Sequence, residues 1–170
     1  RTAIIAIHSA QLDLDEPLLI ANSDQLIDWC GSIMDFLLLM ESGFDGGIVT
    51  FQCPEKDPKW SYVRTRRWNR VVQVAEKKAI SSSATAGIYW WARTEDFLRS
   101  ATEMIGLDDR TNGEFYIAPS YNYLIRERAK IATFDIVRER MHGLGTPEDL
   151  EAFIAYEKEK ERATQARLVV

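Results

Sequence analysis

Short unbroken apolar runs alternate along this chain with longer segments in which apolar residues recur at helical spacing. Apolar runs that end in polar residues are typical of strands buried on both faces of a sheet. We predict strands at 17–22, 46–51, 61–65, 71–76, 86–92 and 131–137. We predict helices at 1–11, 28–41, 94–107, 114–128 and from 146 onward. This alternation predicts an α/β fold with a mixed, mostly parallel sheet flanked by helices.

Composition and charge narrow the classes of protein that fit this pattern. The 170 residues are 46% hydrophobic and 28% charged, which is typical of a globular chain and excludes a disordered one. The formal net charge of −5 argues against nucleic acid as a partner. The longest apolar runs, 36–40 among them, are too short to span a membrane.

The two cysteines indicate the cellular compartment of the protein, and the first residue indicates whether the sequence is part of a longer polypeptide. Cys30 and Cys53 follow no signal peptide and have no zinc-like spacing, so we predict core positions in a reducing, cytoplasmic environment. The chain begins with Arg1 rather than Met, so we expect it to be a piece of a longer polypeptide.

A carboxylate follows the first predicted strand. Asn22-Ser23-Asp24 comes directly after the apolar run, at the end of a strand where open α/β sheets bind ligands. One carboxylate there suits Mg²⁺, which completes its shell with phosphate oxygens and water. The alternative is that Asp24 only caps the next segment.

A second polar group, Glu76-Lys77-Lys78, follows the strand at 71–76. A lysine at a strand end can neutralise a phosphate, and the neighbouring glutamate can accept hydrogen bonds from hydroxyl groups if the turn bends it inward. The alternative is a solvated turn. Gly87, inside the next strand, indicates the close approach of a ligand or of another backbone.

Two further segments carry weaker signals. Asn112-Gly113-Glu114 stands at the predicted start of a helix, whose free N–H groups form a weak anion site, although a plain helix start explains it as well. His142 is a candidate acid or base, with a hydrogen-bonded structural histidine as the alternative. After it, Thr146-Pro147-Glu148-Asp149 predicts a capped helix start.

Taken in order, these motifs resemble the sugar-phosphate nucleotidyltransferases, in a branch found in capsule and surface-polysaccharide gene sets. The resemblance covers about residues 1–154, and the motifs that carry it are Asn22-Ser23-Asp24, 74–78, 86–89, 112–116 and 145–150. It implies a Rossmann-like (GT-A-like) nucleotidyltransferase fold. It also implies transfer of a nucleotidyl group from an NTP to a phosphorylated sugar or related acceptor, with release of pyrophosphate.

The resemblance also implies roles for individual residues. Asp24 matches the magnesium-binding and catalytic aspartate of the family, with Asn22 beside it in the substrate site. Glu76 and Lys77 match a pair that holds the hydroxyls and the phosphate of the acceptor, and Lys77 is counted as catalytic. Gly87 matches a glycine of the strand that lines the substrate, and Glu114 corresponds to a glutamate of the acceptor pocket.

Two departures from the family pattern leave alternatives open. The glycine-rich segment that grips the triphosphate would precede Arg1, so residues 1–170 are predicted to be one domain that lacks it. Gly143 stands where many members have a second metal-binding aspartate, so either Asp24 serves with phosphates and water, or His142 or another residue compensates. The alternative functions are a metal-dependent glycosyltransferase of related fold and a non-catalytic regulatory module. A homo-oligomer is a further expectation.

Overall fold

The computed structural model describes residues 1–29 and 33–168, with side chains for 1–29 and 33–165. The helices are α1 Thr2–Ser9, α2 Ile33–Glu41, α3 Thr94–Gly106, α4 Tyr121–Arg126 and α5 Pro147–Leu168. The strands are β1 Leu18–Ala21, β2 Gln25–Ile27, β3 Gly46–Gln52, β4 Tyr62–Arg66, β5 Arg70–Ala75, β6 Ser83–Trp91, β7 Ile131–Ile136 and β8 Met141–Gly143. The predicted α/β fold is confirmed.

Six strands form one sheet in the order β1-β6-β3-β7-β5-β4, and β2 pairs separately with β8. Strands β3 and β7 are parallel, whereas the other neighbouring pairs of the described sheet are antiparallel. The prediction of a mixed sheet is therefore confirmed, but the prediction that it is mostly parallel is wrong. An apolar run indicates that a strand is buried, and it does not report the direction in which the strand runs.

Side chains of β6 show that the sheet is covered on both faces. Trp91 packs against Phe97 of α3, with 4.8 Å between ring centroids, in a core that also includes residues of α1 and α4. The preceding residue, Trp90, points to the opposite face and belongs to the core formed with Phe36 of α2. Cys53 lies in this second core, as predicted, and Cys30 falls outside the described residues.

Three predicted elements differ from those in the structure. Strand β1 ends the described sheet and leaves Leu19 52% exposed, so the prediction of burial on both faces is wrong there. The helix predicted at 28–41 is confirmed from Ile33 onward, and the short strand β2 precedes it. The helix predicted at 114–128 reduces to a 3-10 turn at Ala118–Ser120 followed by α4, because Pro119 lacks the N–H that a longer helix needs.

Within the described ranges, no helix has both the length and the apolar character needed to cross a bilayer. The longest helix, α5, is strongly charged along its sequence. It begins at Pro147 as the capping motif predicts, since the Thr146 hydroxyl accepts a hydrogen bond from the Asp149 N–H at 3.1 Å.

Candidate active site

A pocket of about 540 Å³ lies where the segments after β1 and β5 meet the middle of β6 and the start of α5. Five of the residues predicted from the sequence line it: Asn22, Asp24, Glu76, Lys77 and Gly87. They come from three segments that are separated in sequence. The fold therefore brings into one pocket residues that the sequence analysis identified in separate motifs.

Glu76 and Lys77 both face the pocket because the chain turns sharply after β5. In a straight strand two successive side chains would point to opposite faces. Lys77 instead has a φ of 51°, a left-handed backbone that is uncommon for a residue with a side chain, and its N–H donates to the Trp60 carbonyl at 3.1 Å. The structure thus supports the inward-bent alternative for this pair over a solvated turn.

Burial and hydrogen bonding shift the pKa of the Glu76 carboxyl in opposite directions. Partial burial raises the pKa of its carboxyl, while a hydrogen bond donated by the Ser61 hydroxyl and the charge of Lys77 favour the ionised form. The result is a carboxylate held in place with one oxygen engaged by Ser61. Such a group can accept hydrogen bonds from hydroxyls of a bound ligand.

A chain of hydrogen bonds fixes the ammonium of Lys77. Its Nζ donates to the Tyr116 hydroxyl at 2.8 Å, and that hydroxyl donates to Glu114 Oε2 at 2.9 Å. The hydrogen bond with Tyr116 and the nearby acids raise the pKa of Lys77, so its positive charge is secure at neutral pH. A fixed cation of this kind suits a phosphate group.

Glu114 lies behind Tyr116, and the described lining of the main pocket does not include it. The prediction that a helix begins at Glu114 is also wrong. Residues 111–114 form a tight turn in which Thr111 and Glu114 exchange backbone hydrogen bonds of 3.0 Å. The weak anion site expected at this helix start is therefore not formed, and Glu114 is linked to the pocket by its hydrogen bond with Tyr116.

Gly87 lies beneath two side chains of the segment that follows β1. It has a φ of +72°, within a bulge of β6 where the register with β3 shifts. A Cβ on Gly87 would lie 2.0 Å from Gln25 Oε1 and 2.7 Å from Asn22 Nδ2. The sequence predicted the close approach of a ligand or of another backbone, whereas the structure places two side chains of this chain against Gly87, where they form part of the pocket wall.

Pairing of β2 with β8 places Asp24 against the loop before α5. Gln25 pairs with Gly143, and the Leu144 N–H donates to the Asp24 carbonyl at 2.7 Å. A Cβ on Gly145 would lie 3.2 Å from Asp24 Oδ2, so a residue without a side chain lets this loop approach the carboxylate. The Asp24 carboxylate itself has neither a hydrogen bond nor an ion pair with any described residue.

These residues fit a hydrated Mg²⁺ ion, the metal that the family resemblance implies. Mg²⁺ prefers oxygen ligands and uses one or two carboxylates together with water and phosphate oxygens. Asp24 offers a free carboxylate in the pocket, the lack of a side chain at Gly145 leaves room beside it, and the neighbouring Gln25 Oε1 is buried without a donor in the described structure. Among the described residues, no group of three or more acidic, histidine or cysteine side chains is placed so that it could hold a metal ion, so substrate and water would have to complete the shell.

His142 points away from the pocket. Its ring packs on Phe153 and Tyr156 of α5, with centroid distances of 5.2 and 4.4 Å. Burial lowers the pKa of His142, which favours the neutral imidazole. The geometry therefore favours a structural histidine over an acid or base, although the ring is held by packing and its Nε2 has no hydrogen-bond partner among the described residues.

Several lining residues were not singled out by the sequence. Arg138 follows β7, its guanidinium lies over the Phe51 ring, and Nη1 donates to the Met141 carbonyl at 3.0 Å. Tyr116 and Ser61 orient Lys77 and Glu76. The position of Arg138 after a strand is the one signal that could have found it, because Asp24 and Glu76 also follow strands.

No protein-family model and no curated protein sequence matches this chain. Solved structures do match it. A nucleoside-diphosphate-sugar pyrophosphorylase from Vibrio cholerae RC9 is 25% identical over 89% of this chain and 61% of its own, with a TM-score of 0.72. The chain thus spans less than two thirds of that protein.

Two further neighbours agree with the fold. A UDP-glucose pyrophosphorylase complexed with UDP-glucose is 19% identical over 91% of this chain and 61% of its own, with a TM-score of 0.70. A CMP:2-keto-3-deoxy-manno-octonic acid synthetase complexed with CTP is 15% identical over 93% of this chain and 67% of its own, with a TM-score of 0.66. At these identities the likeness concerns the fold alone. Together the neighbours support the predicted nucleotidyltransferase fold.

Proposed function

We propose that this chain carries the acceptor and metal sites of a nucleotidyltransferase. The enzyme would transfer a nucleotidyl group from an NTP to a phosphorylated sugar or a related phosphorylated acceptor, with release of pyrophosphate. The observation that carries the proposal is that Asp24 faces the same pocket as Glu76 and Lys77, although it lies far from that pair in sequence. The nucleotidyltransferase folds of the solved neighbours support it.

The reaction needs positioning and charge neutralisation more than covalent chemistry. An oxygen of the acceptor phosphate forms a bond to the α-phosphorus of the NTP, the bond from that phosphorus to the bridging oxygen breaks, and pyrophosphate leaves. Lys77 holds the acceptor phosphate, and Glu76 accepts hydrogen bonds from its hydroxyls. Because the attacking oxygen is already anionic, the step requires no general base.

Asp24 is the residue that would hold Mg²⁺ in this pocket. When bound, the ion supplies neutralisation of the negative charge on the phosphates. The two remaining cations of the lining, Lys59 and Arg138, lie in the same pocket and can contribute positive charge toward a phosphate. The surface-polysaccharide branch, a cytoplasmic location, a homo-oligomer and a single domain over 1–170 stay predictions.

The test is pyrophosphate release by the longest natural polypeptide that contains this sequence. The assay supplies Mg²⁺, each of the four common NTPs in turn, and a panel of phosphorylated sugars and other small phosphates. We expect release that depends on one NTP and one acceptor and that stops with EDTA. No release across the panel would favour the non-catalytic module, and consumption of a nucleotide-sugar in place of NTP would favour the glycosyltransferase.

Substitution of two adjacent lysines, only one of which lines the pocket, tests whether the activity depends on the pocket. Lys77→Met removes the cation that faces the pocket, and Lys78→Met removes the adjacent lysine, which is not among the described lining residues. Loss of a charge-assisted contact of about 2 kcal/mol predicts a rise of about 30-fold in the acceptor KM for Lys77→Met. Equal effects of the two substitutions would contradict the assigned role of Lys77.

A further inference from the structure

The carboxylate of Asp149 occupies the space in which a side chain at position 143 would begin. A Cβ built on Gly143 would lie 3.3 Å from Asp149 Cγ and 3.4 and 3.5 Å from its two oxygens. An acidic side chain at position 143 would place its carboxylate in the same region. The space left by the missing side chain at Gly143 is therefore occupied by a carboxylate of α5.

Asp149 and Asp24 meet the same short stretch of chain. The loop 143–145 lies beside Asp149 at its first residue and beside Asp24 at its last, and Gly143, Gly145, Asp24 and Asp149 all line the pocket. The β2–β8 pairing fixes this loop relative to Asp24. Two carboxylates are thus presented to one pocket on either side of two glycines.

The local structure leaves one oxygen of Asp149 free. The Thr146 hydroxyl accepts a hydrogen bond from the Asp149 N–H, which is the usual arrangement of a helix cap, and it donates to Asp149 Oδ2 at 2.9 Å. In the described part of the chain Asp149 Oδ1 accepts no hydrogen bond, and neither aspartate has a basic partner. The cap therefore orients the carboxylate and does not neutralise it.

An uncompensated pair of carboxylates in one pocket favours a cation. A further oxygen in the same pocket lining lacks a partner: Gln25 Oε1, which lies against Gly87 and belongs to the residue after Asp24, is buried without a donor in the described structure. Hard divalent cations bind oxygen ligands of these kinds.

We propose that Asp149 supplies the second carboxylate of the metal site, in the place left open by Gly143. This inference rests on the proposed function, since it concerns the metal of the same pocket. It answers how a chain with glycine at position 143 retains two acidic side chains toward the metal. It also gives Asp149 a role beyond the helix cap. A neutral residue could cap the helix as well, whereas a metal ligand at this place needs the carboxylate.

The test measures the binding of Mn²⁺ alone to the longest natural polypeptide that contains this sequence. The electron paramagnetic resonance signal of the free ion reports how much Mn²⁺ is bound. We compare Asp149→Asn and Asp24→Asn with Glu148→Gln, a matched control that removes one charge from the same helical turn but is not among the described pocket residues. We expect each pocket variant to weaken Mn²⁺ binding at least about tenfold, and the control to change it less than about twofold. Thermal unfolding of each variant reports any loss of the cap separately.

The outcomes separate this inference from the proposed function. If Asp24→Asn loses Mn²⁺ and Asp149→Asn binds it like the wild type, the role of Asp149 is overturned while the metal site stands. If the wild type binds no Mn²⁺, the inference is overturned, and pyrophosphate release decides the proposed function by itself.

A relocation variant gives a result that a capping role cannot produce. Gly143→Asp combined with Asp149→Ala moves the carboxylate to the position from which the loop would present it directly. We expect this double variant to recover Mn²⁺ binding to within about threefold of the wild type, whereas Asp149→Ala alone does not. A folded double variant that binds no better than Asp149→Ala would overturn the replacement argument.

Discussion

Hydrogen-bonded side chains hold one side of the pocket, whereas backbone contacts hold the other. The lysine side comprises Ser61, Glu76, Lys77 and Tyr116, in which each charge has a hydrogen-bonded partner. The carboxylate side comprises Asp24, Gly143, Gly145 and Asp149, which the β2–β8 pairing and the close approach of two glycines bring together. The protein supplies the partners on the first side and leaves charge uncompensated on the second.

This difference indicates how the two sides meet their ligands. A site whose charges are already fixed by hydrogen bonds is preorganised, so a ligand meets it at little ordering cost. A site with free carboxylates repels anions until a cation joins it. We therefore expect the carboxylate side to depend on an added metal ion and the lysine side to depend on its own side chains.

The largest expected effect is that of Asp24→Asn. Substitution of this free carboxylate should lower the rate of pyrophosphate release about 1,000-fold, because charge stabilisation at one position contributes about that much in comparable sites. The fold should remain intact, since the Asp24 side chain is exposed and has no described hydrogen bond. Turnover and circular dichroism check the two expectations, and a near-normal rate would remove Asp24 from the metal site.

Gly87→Ala should have the next largest effect, because it disturbs the wall between the two sides. The new Cβ would displace Gln25 and Asn22, and the φ of +72° costs about 1–2 kcal/mol for a residue with a side chain. We expect turnover to fall about tenfold or more, since small displacements of catalytic groups are costly. Turnover and urea unfolding measure the two effects.

Gly113→Ala is the matched control for that substitution. Gly113 has a φ of +80°, and a Cβ there would meet no atom within 4 Å. It should therefore cost a similar amount of stability, about 1–2 kcal/mol, and leave turnover unchanged. If both variants lose activity equally, backbone strain rather than the contact with Asn22 and Gln25 explains the loss at Gly87.

The sequence predicted the residues that stand at strand ends better than the contacts between them. Asn22, Asp24, Glu76 and Lys77 were found because polar residues directly after an apolar run lie at the edge of a sheet. Gly87 was found because a glycine in a strand indicates close approach. These signals are local in sequence, and the structure places all five residues in one pocket.

What the sequence missed depends on pairing between distant segments. Asp149 was assigned only to a helix start, and its place beside Gly143 appears once β8 ends next to α5. The same reason explains the direction of the strands, because antiparallel β6 pairs with both β1 and β3 across long stretches of sequence. Glu114 was misplaced because Pro119 and a tight turn at 111–114 delay the helix, which periodicity alone does not show.

Tyr116→Phe should have a smaller effect, confined to the lysine side. It removes the hydroxyl that links Lys77 to Glu114 and leaves the ring in place. Loss of about 1 kcal/mol of orientation predicts a rise of about fivefold in the acceptor KM, with kcat changed less than about twofold. Steady-state kinetics with varied acceptor measure both constants.

Tyr123→Phe controls for loss of a tyrosine hydroxyl elsewhere. The Tyr123 hydroxyl donates to Asp109 Oδ2 at 2.8 Å, and Tyr123 is not among the described lining residues. Its removal should lower stability and leave the acceptor KM unchanged. An equal rise of KM in both variants would show that Tyr116 does not act through Lys77.

Glu76→Gln should have the smallest effect, and it concerns stability. Burial raises the folded-state pKa of Glu76 above its ordinary value of 4.5, so this residue favours the folded state less as pH rises from that value through the folded pKa. Glutamine keeps an oxygen for the Ser61 hydroxyl and does not ionise. We expect the melting temperature of Glu76→Gln to exceed that of the wild type by about 1–2 °C at pH 8, and the difference to vanish below pH 4.

The sign of that difference decides between two accounts of the lysine side. Groups that titrate equally in both proteins cancel when the two melting temperatures are subtracted at each pH, so the difference reports Glu76 alone. If the wild type is the more stable protein at pH 8, Lys77 and Ser61 stabilise the carboxylate more than burial opposes it. Glu76 would then stabilise the fold as well as bind the acceptor. If Glu76→Gln is the more stable, the carboxylate is kept at a cost to folding, as expected of a residue retained for binding a ligand.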